Sequence, residues 1–369
     1  MESNRRSWLK QLGLGIAGIG LTQLESVAAP FEKHRILDDS LLNFPVRLNA
    51  NENPFGPGPK AREALIKNAV VSNRYNLPQA KTLVEKIAEA QSVAAENVLL
   101  GAGSTEILDV TGRYAALSKG SLVLGDPTFG FWTETAERLG LKRIKVPLTA
   151  DKKLDLPAML KAMTPDTKLV YLCNPNNPTG TLNTRADLEA FITEASKTAM
   201  VLIDEAYIEF TNEKSFVGWI NSNKNIIVAK TFSKVYGMAG ARLGYAIAHK
   251  DTIKALSGVQ SWPNGNNSIA TVAAGLAALT DPTFVKDYVA LNEKARTFTY
   301  NSLTAMGLKV IPSYTNFLYF SLEGYKKDYY KVLEQNKIMG REIFEQNGKW
   351  TRISIGTMAE MEYYAKALG

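Results

Sequence analysis

The chain has 369 residues, 45% of them hydrophobic and 21% charged, the composition of a globular protein long enough for one large core and a smaller one. Its formal charge of +7 raises nucleic acid as a partner, but lysines and arginines are scattered among acids with no basic run interleaved with aromatics, which excludes that class. A single cysteine, Cys173 in an apolar run, excludes an internal disulfide and reads as a small core residue. With only His34 and His249 and no clustered cysteines, a zinc or iron site is excluded too.

Residues 1–29 stand apart from the fold. Arg5, Arg6 and Lys10 precede the uncharged stretch Gln11–Leu24, and Ser26-Val27-Ala28-Ala29 follows, the layout of a cleavable secretory signal. The apolar part is short for a membrane span, which needs roughly 20 residues. Asn4-Arg5-Arg6-Ser7-Trp8-Leu9-Lys10 resembles a twin-arginine signal. A general secretory signal or an uncleaved anchor are the alternatives, and a lipoprotein is excluded because no cysteine stands near the cleavage region. The expectation is export to the periplasm.

Residues 30–53 form an N-terminal segment expected to pack on a smaller domain. The segment ends in the turn-rich Leu48-Asn49-Ala50-Asn51-Glu52-Asn53 before Pro54. Helices are predicted at Pro59–Val70 and Pro78–Gln91, each opened by proline. Apolar strands then read at Val98–Leu100, Ser121–Gly125, Lys168–Cys173, Met200–Ile203, Ile226–Ala229 and Tyr245–Ala248. Helical stretches at Thr105–Leu117, Phe131–Leu139 and Thr184–Ser196 lie between them. This alternation predicts an α/β fold, a mostly parallel sheet sandwiched by helices, with ligands beyond the carboxyl ends of its strands. The large domain is placed at 54–266. Residues 267–369 read as a small α+β domain: helices at Ala270–Thr280 and Asp281–Met306, then short strands at Lys309–Ile311, Asn316–Ser321 and Arg352–Ile355.

Several strand ends carry residues suited to chemistry. Gly101-Ala102-Gly103-Ser104-Thr105-Glu106 opens a helix whose amides and dipole favour a phosphate, or else it is a plain turn capped by Ser104 or Thr105. Phe129 could stack on a flat heterocycle or fill the core. Asn174-Pro175-Asn176-Asn177-Pro178-Thr179-Gly180 is a rigid turn from which Asn177 can donate to a ring oxygen. Asp204 ends a strand, where a carboxylate is costly to bury without a cationic partner. The pyridinium nitrogen of pyridoxal phosphate would be such a partner, with Tyr207 three residues on reaching the ring's phenolic oxygen. Finally, the strand Ile226–Ala229 leads into Thr231-Phe232-Ser233-Lys234. A buried lysine of lowered pKa is a nucleophile whose characteristic use is a Schiff base. The hydroxyls of Thr231 and Ser233 and the guanidinium of Arg242 could bind a phosphate beside it.

Taken together, Asn177, Asp204, Tyr207, Lys234, Arg242 and Arg352 in this order resemble the fold-type I, class I/II pyridoxal phosphate aminotransferases, and most of all their histidinol-phosphate aminotransferase group. The likeness runs from about Leu48 to the C-terminus. It implies pyridoxal 5'-phosphate as cofactor and catalytic roles for Lys234, Asp204 and Tyr207: Lys234 bonds to the cofactor and shuttles the proton, Asp204 holds the pyridine nitrogen, and Asn177 and Tyr207 hold the 3'-oxygen. It places Phe129 on the ring, and Gly103, Ser104, Thr105, Thr231, Ser233 and Arg242 at the phosphate. Tyr75 matches a tyrosine that reaches the phosphate of the neighbouring subunit, which implies a homodimer with shared sites. Arg352 matches the arginine that binds the substrate anion, and Arg341 either a second one or a surface arginine. The implied reaction moves an amino group from an amino acid or a histidinol-phosphate-like amine to a 2-oxo acid, with no metal. A decarboxylase, lyase or racemase on the same fold is the alternative, since these residues serve the cofactor in each. Two departures stand out: no tyrosine occupies the short segment before Asn49, and Met358 follows Gly356-Thr357. A regulator with an attached DNA-binding domain finds no room before the fold.

Overall fold

The computed structural model describes residues 37–341 and 349–369; the signal-like stretch 1–29 lies outside them. Asp39–Gly369 is one compact unit. Its strands are β1 Val46–Arg47, β2 Val98–Gly101, β3 Gly120–Asp126, β4 Leu141–Pro147, β5 Thr167–Cys173, β6 Met200–Asp204, β7 Ile226–Thr231, β8 Gly244–Ala248, β9 Val310–Ile311, β10 Phe317–Ser321, β11 Ile338–Met339 and β12 Trp350–Ser354.

Seven strands form one sheet in the order β2-β8-β7-β6-β5-β3-β4. Only β8 runs against its neighbours; the other pairings are parallel. The central strands are apolar on both faces because helices cover both. Val170, Leu172, Val201, Ile203 and Val228 enter one core, while Leu169, Tyr171, Cys173, Leu202, Ile227 and Ala229 enter the other. Period-two alternation therefore turns Asp204, the residue after Ile203, toward the face of Tyr171 and Cys173.

The helix Leu77–Ala90 buries Leu83, Val84 and Ile87 against the first core, and Arg185–Ala195 is capped by the Thr184 hydroxyl. Strand β4 was not predicted. Its run Leu141-Lys142-Arg143-Ile144-Lys145 is too charged to read as a buried strand, yet it lies at the sheet edge, where such charges oppose edge-to-edge pairing.

The smaller layer has an antiparallel sheet, β12-β10-β9, and the parallel pair β1-β11. Val46 and Leu48 share its core with Leu318, Phe320, Ile353 and Tyr364, so the N-terminal segment packs on this layer. The final helix, Met358–Leu368, opens with a Thr357–Glu360 capping box. The helix Ile269–Ala278 lies beyond the expected boundary at 266 but packs into the core of the large sheet through Val272, Ala274 and Ala278. The chain thus leaves the large layer near Asp281, ahead of the long helix Pro282–Ala305.

Candidate active site

A cavity of about 570 Å³ opens at the carboxyl ends of β5, β6 and β7. Its walls include Lys234, Asp204, Tyr207, Asn177, Phe129, Arg352 and Arg341, together with Ser104, Thr105, Thr231, Ser233 and Arg242.

Asp204 ends β6 and is 2% exposed. Its Oδ2 accepts from the Tyr171 hydroxyl at 2.8 Å and its Oδ1 from the Ala206 N–H at 3.1 Å. Burial pushes the carboxyl up to about 6, against the pull of those two donors. Lys234 stands in the turn after β7, half-buried, with Nζ donating to the Asn51 carbonyl at 3.2 Å. Burial first, and the Arg352 charge second, bring its ammonium down to about 8. At pH 7 this leaves roughly a tenth of the lysine as free amine, the form that a nucleophile or a proton carrier requires. The phenol of Tyr207 is raised by burial, and its Oη accepts from Asn51 Nδ2 at 3.0 Å.

The turn after β5 is rigid because its polar groups are spent internally: Asn176 N–H bonds the Thr181 carbonyl and Gly180 N–H the Asn176 carbonyl. Asn176 also reaches across to Pro127 and Thr128, which fixes the loop bearing Phe129. Asn177 Oδ1 accepts from Arg352 Nη1 at 2.5 Å, and Arg352 Nη2 donates to the Asn49 carbonyl at 3.1 Å. Arg352, on β12, is 5% exposed, and burial lowers its guanidinium to about 10. Arg341 lies 5.9 Å from the Phe131 ring, and its charge acts on Arg352.

At the opposite corner the helix Ser104–Ala116 begins with Gly103 as its N-cap and no side-chain cap. The alternative of a turn capped by Ser104 or Thr105 is thereby corrected: Gly103 is the N-cap, and both residues line the cavity. Gly103 has φ +78°, and a Cβ there would collide with the Arg242 guanidinium. Glycine thus lets Arg242 lie across the helix N-terminus, donating to the Ala102 and Ala239 carbonyls. Thr231 and Ser233 hydroxyls join at 2.9 Å beside it. Helix amides, hydroxyls and a guanidinium make a corner for a dianion. With Lys234 for a carbonyl and Asp204 for a basic ring nitrogen, the donor set fits pyridoxal phosphate. Among the described residues no group of three or more His, Cys, Asp or Glu could hold a metal ion, and no helix is long and apolar enough to cross a membrane.

The family model for aminotransferase class I and II matches residues 45–368. The chain belongs to that family. A histidinol-phosphate aminotransferase of Moorella thermoacetica is 33% identical over 329 residues, 88% of this chain and 84% of that protein. The crystal structure of histidinol-phosphate aminotransferase from Sinorhizobium meliloti in complex with pyridoxal-5'-phosphate superposes with TM-score 0.79 at 26% identity, covering 92% of this chain and 98% of that one. L-Threonine-O-3-phosphate decarboxylase from Porphyromonas gingivalis, at TM-score 0.73 and 24% identity, shares the fold alone. This class I and II aminotransferase falls in the histidinol-phosphate aminotransferase group, and its cofactor is pyridoxal 5'-phosphate.

One predicted site residue is not brought to the cavity of this aminotransferase within the single chain. Tyr75 is 79% exposed and packs edge-on against Trp262, ring centroids 5.2 Å apart. Among the residues in contact with the site that were missed are Asn51 and Tyr171. Asn51 sits in a stretch that reads only as turns. Tyr171 is a hydroxyl inside an aliphatic strand, and only the sheet register, Cys173 beside Asp204, shows where it points. Tyr171→Phe removes a donor from a buried carboxylate, a loss of about 1.5–3 kcal/mol. The turnover of the variant should drop roughly 10-fold while the KM for the amino donor stays within about twofold, measured by steady-state kinetics. A change in KM alone would show that Tyr171 serves substrate binding instead.

Proposed function

We propose that this chain is an exported, homodimeric aminotransferase that takes an anionic primary amine, an amino acid or a histidinol-phosphate-like amine, and passes its amino group to a 2-oxo acid. The observation that carries the reading is one cavity that joins Lys234, an amine of lowered basicity, to Arg352, a buried guanidinium aimed by Asn177 and Asn49. The names of the relatives support the donor.

Pyridoxal phosphate, when bound, supplies the electron sink into which the donor's Cα–H bond ionises. Lys234 Nζ would hold the cofactor at rest and, when free, would carry the proton taken from the donor carbon. Asp204 would hold the ring nitrogen protonated, Tyr207 and Asn177 would hold the ring oxygen, and Phe129 would lie against the ring. Ser104, Thr105, Thr231, Ser233 and Arg242 would take the phosphate at the helix N-terminus, where Gly103 makes room for the Arg242 guanidinium. Arg352 binds the substrate carboxylate or its equivalent as a planar fork, and Arg341 takes a further anionic group.

Dimerisation is supported by apolar surface in one stretch: Val70 is 83% exposed and Leu77 50%, next to Tyr75. In this reading Tyr75 reaches the phosphate of the second subunit. Export rests on the twin-arginine-like Arg5-Arg6 stretch.

The test is an absorbance scan of the purified holoenzyme with single amines and no acceptor. Conversion of the cofactor to its amine form, reversed by 2-oxoglutarate, supports transamination and names the donor. Release of carbon dioxide or ammonia, or racemisation, with the cofactor unconverted, would favour the lyase, decarboxylase or racemase alternative. Arg341→Ala should lower kcat/KM for a phosphorylated donor by roughly 10- to 100-fold, the worth of a charge-assisted contact, and leave a neutral amino acid donor almost unchanged. Equal losses on both donors would remove Arg341 from substrate recognition.

A further inference from the structure

Asn51 is 1% exposed and holds φ +52°, the left-handed region that asparagine tolerates better than most residues. Five hydrogen bonds tie it to four different segments. Its N–H donates to Ser354 Oγ at 2.7 Å, and Ser354 Oγ donates back to Asn51 Oδ1 at 3.0 Å. Its carbonyl accepts from Asn316 Nδ2 at 3.1 Å and from Lys234 Nζ at 3.2 Å. Its Nδ2 donates to Tyr207 Oη at 3.0 Å.

In the structure the Asn51 amide stands with Oδ1 toward Ser354, from whose hydroxyl it accepts, and with Nδ2 toward Tyr207. The phenol oxygen of Tyr207 therefore accepts from Asn51, and its own proton is free to turn toward the cavity, where an acceptor oxygen of the cofactor is to be held. The same residue's main-chain carbonyl offers an acceptor to the ammonium of Lys234 whenever that lysine is not bonded to the cofactor.

We propose that Asn51 is a positioning residue of the reaction: its side chain sets the donor direction of Tyr207 and its carbonyl holds the free amine of Lys234. The inference rests on the roles proposed above for Tyr207 and Lys234. Because β12 supplies Ser354, and the residue before β10 supplies Asn316, the smaller layer aims two groups of the larger one through a single residue.

The experiment uses the full-length holoenzyme and its apo form, with Asn51→Gly, Tyr207→Phe and the double variant. Glycine keeps the left-handed backbone and the carbonyl while deleting the amide. Asn51→Gly and Tyr207→Phe are each expected to lower kcat about 10-fold, the size of one lost hydrogen bond to a reacting group. Both should also weaken the affinity of the apo form for pyridoxal phosphate, read by fluorescence titration, by a similar factor. The double variant should be no worse than Tyr207→Phe, because the two act as one unit. Asn51→Asp, matched in size, should lose at least as much as Asn51→Gly, since its carboxylate would capture the Tyr207 proton. Parent values of kcat and cofactor affinity in Asn51→Gly, or losses that multiply in the double variant, would overturn the inference. Parent values in Tyr207→Phe itself would instead remove the role proposed for Tyr207, and the inference with it.

Discussion

Replacing Lys234 with alanine is expected to lower turnover by roughly 10⁴-fold or more, since one change removes both a covalent attachment and a proton carrier, the latter alone worth about 10²–10⁴. The proposed mechanism has no other amine at that point of the cavity. Lys230, four positions earlier, is held by Glu205 at 3.2 Å and Glu209 at 3.5 Å; it belongs to the opposite face of β7 and cannot substitute. Steady-state and single-turnover assays on the purified variant check the loss, and activity within about tenfold of the parent would show that the proton is carried elsewhere. The apo variant should also be harder to unfold. Folding lowers the lysine from 10.5 to about 8, so the native state binds the proton less tightly than the unfolded chain does. That cost is fully present below about pH 8 and disappears as pH rises toward 10.5, where both states are neutral. Alanine removes the cost, and urea melts of the apoproteins at neutral pH should show a gain of about 1–2 kcal/mol after allowance for partial exposure.

Asp204→Asn should cost roughly 10²–10³-fold in kcat, because a neutral amide of the same shape cannot keep the ring nitrogen protonated and the electron sink weakens. Its signature is a shift in the visible absorbance of the bound cofactor together with the fall in kcat. A variant with the parent spectrum and turnover would remove Asp204 from the ring nitrogen. Stability moves the other way. Folding raises this carboxyl from 3.8 to about 6, so the native apoprotein holds the proton more tightly than the unfolded chain. The parent is favoured by this group at low pH and loses that contribution as pH climbs from about 4 to about 6. Asparagine deletes the dependence, so apo Asp204→Asn should match or exceed the parent in urea melts at pH 7 and show a flatter profile below it.

Much of this was legible from residue types in order. Long apolar strands separated by amphipathic helices announce a helix-covered parallel sheet because burial on both faces demands continuous hydrophobicity. Chemistry-bearing residues at strand ends, Asp204 after Val201-Leu202-Ile203 and Lys234 after Ile226–Ala229, follow from where such sheets leave their open edge. Those signals are local: each needs only a few neighbouring positions to be read. The charged edge strand β4 was not legible, since its residues match no buried pattern and only its place at the rim explains them.

Other features depended on segments far apart in the chain. Nothing near Asn51 says that it meets Tyr207, 156 positions later, or Ser354, 303 later. Nothing in the strand of Tyr171 says that its hydroxyl ends on Asp204, because the parallel register of β5 on β6 brings the two together. Propensity, hydrophobic period and side-chain type are properties of short stretches, so they carry the class of fold and the candidate positions at the strand ends, while the cofactor followed from the resemblance of those motifs to a family. Which partners orient those residues, and how far their proton affinities move, is set by folding, because hydrogen-bond direction and desolvation arise from groups that come together once the chain has folded.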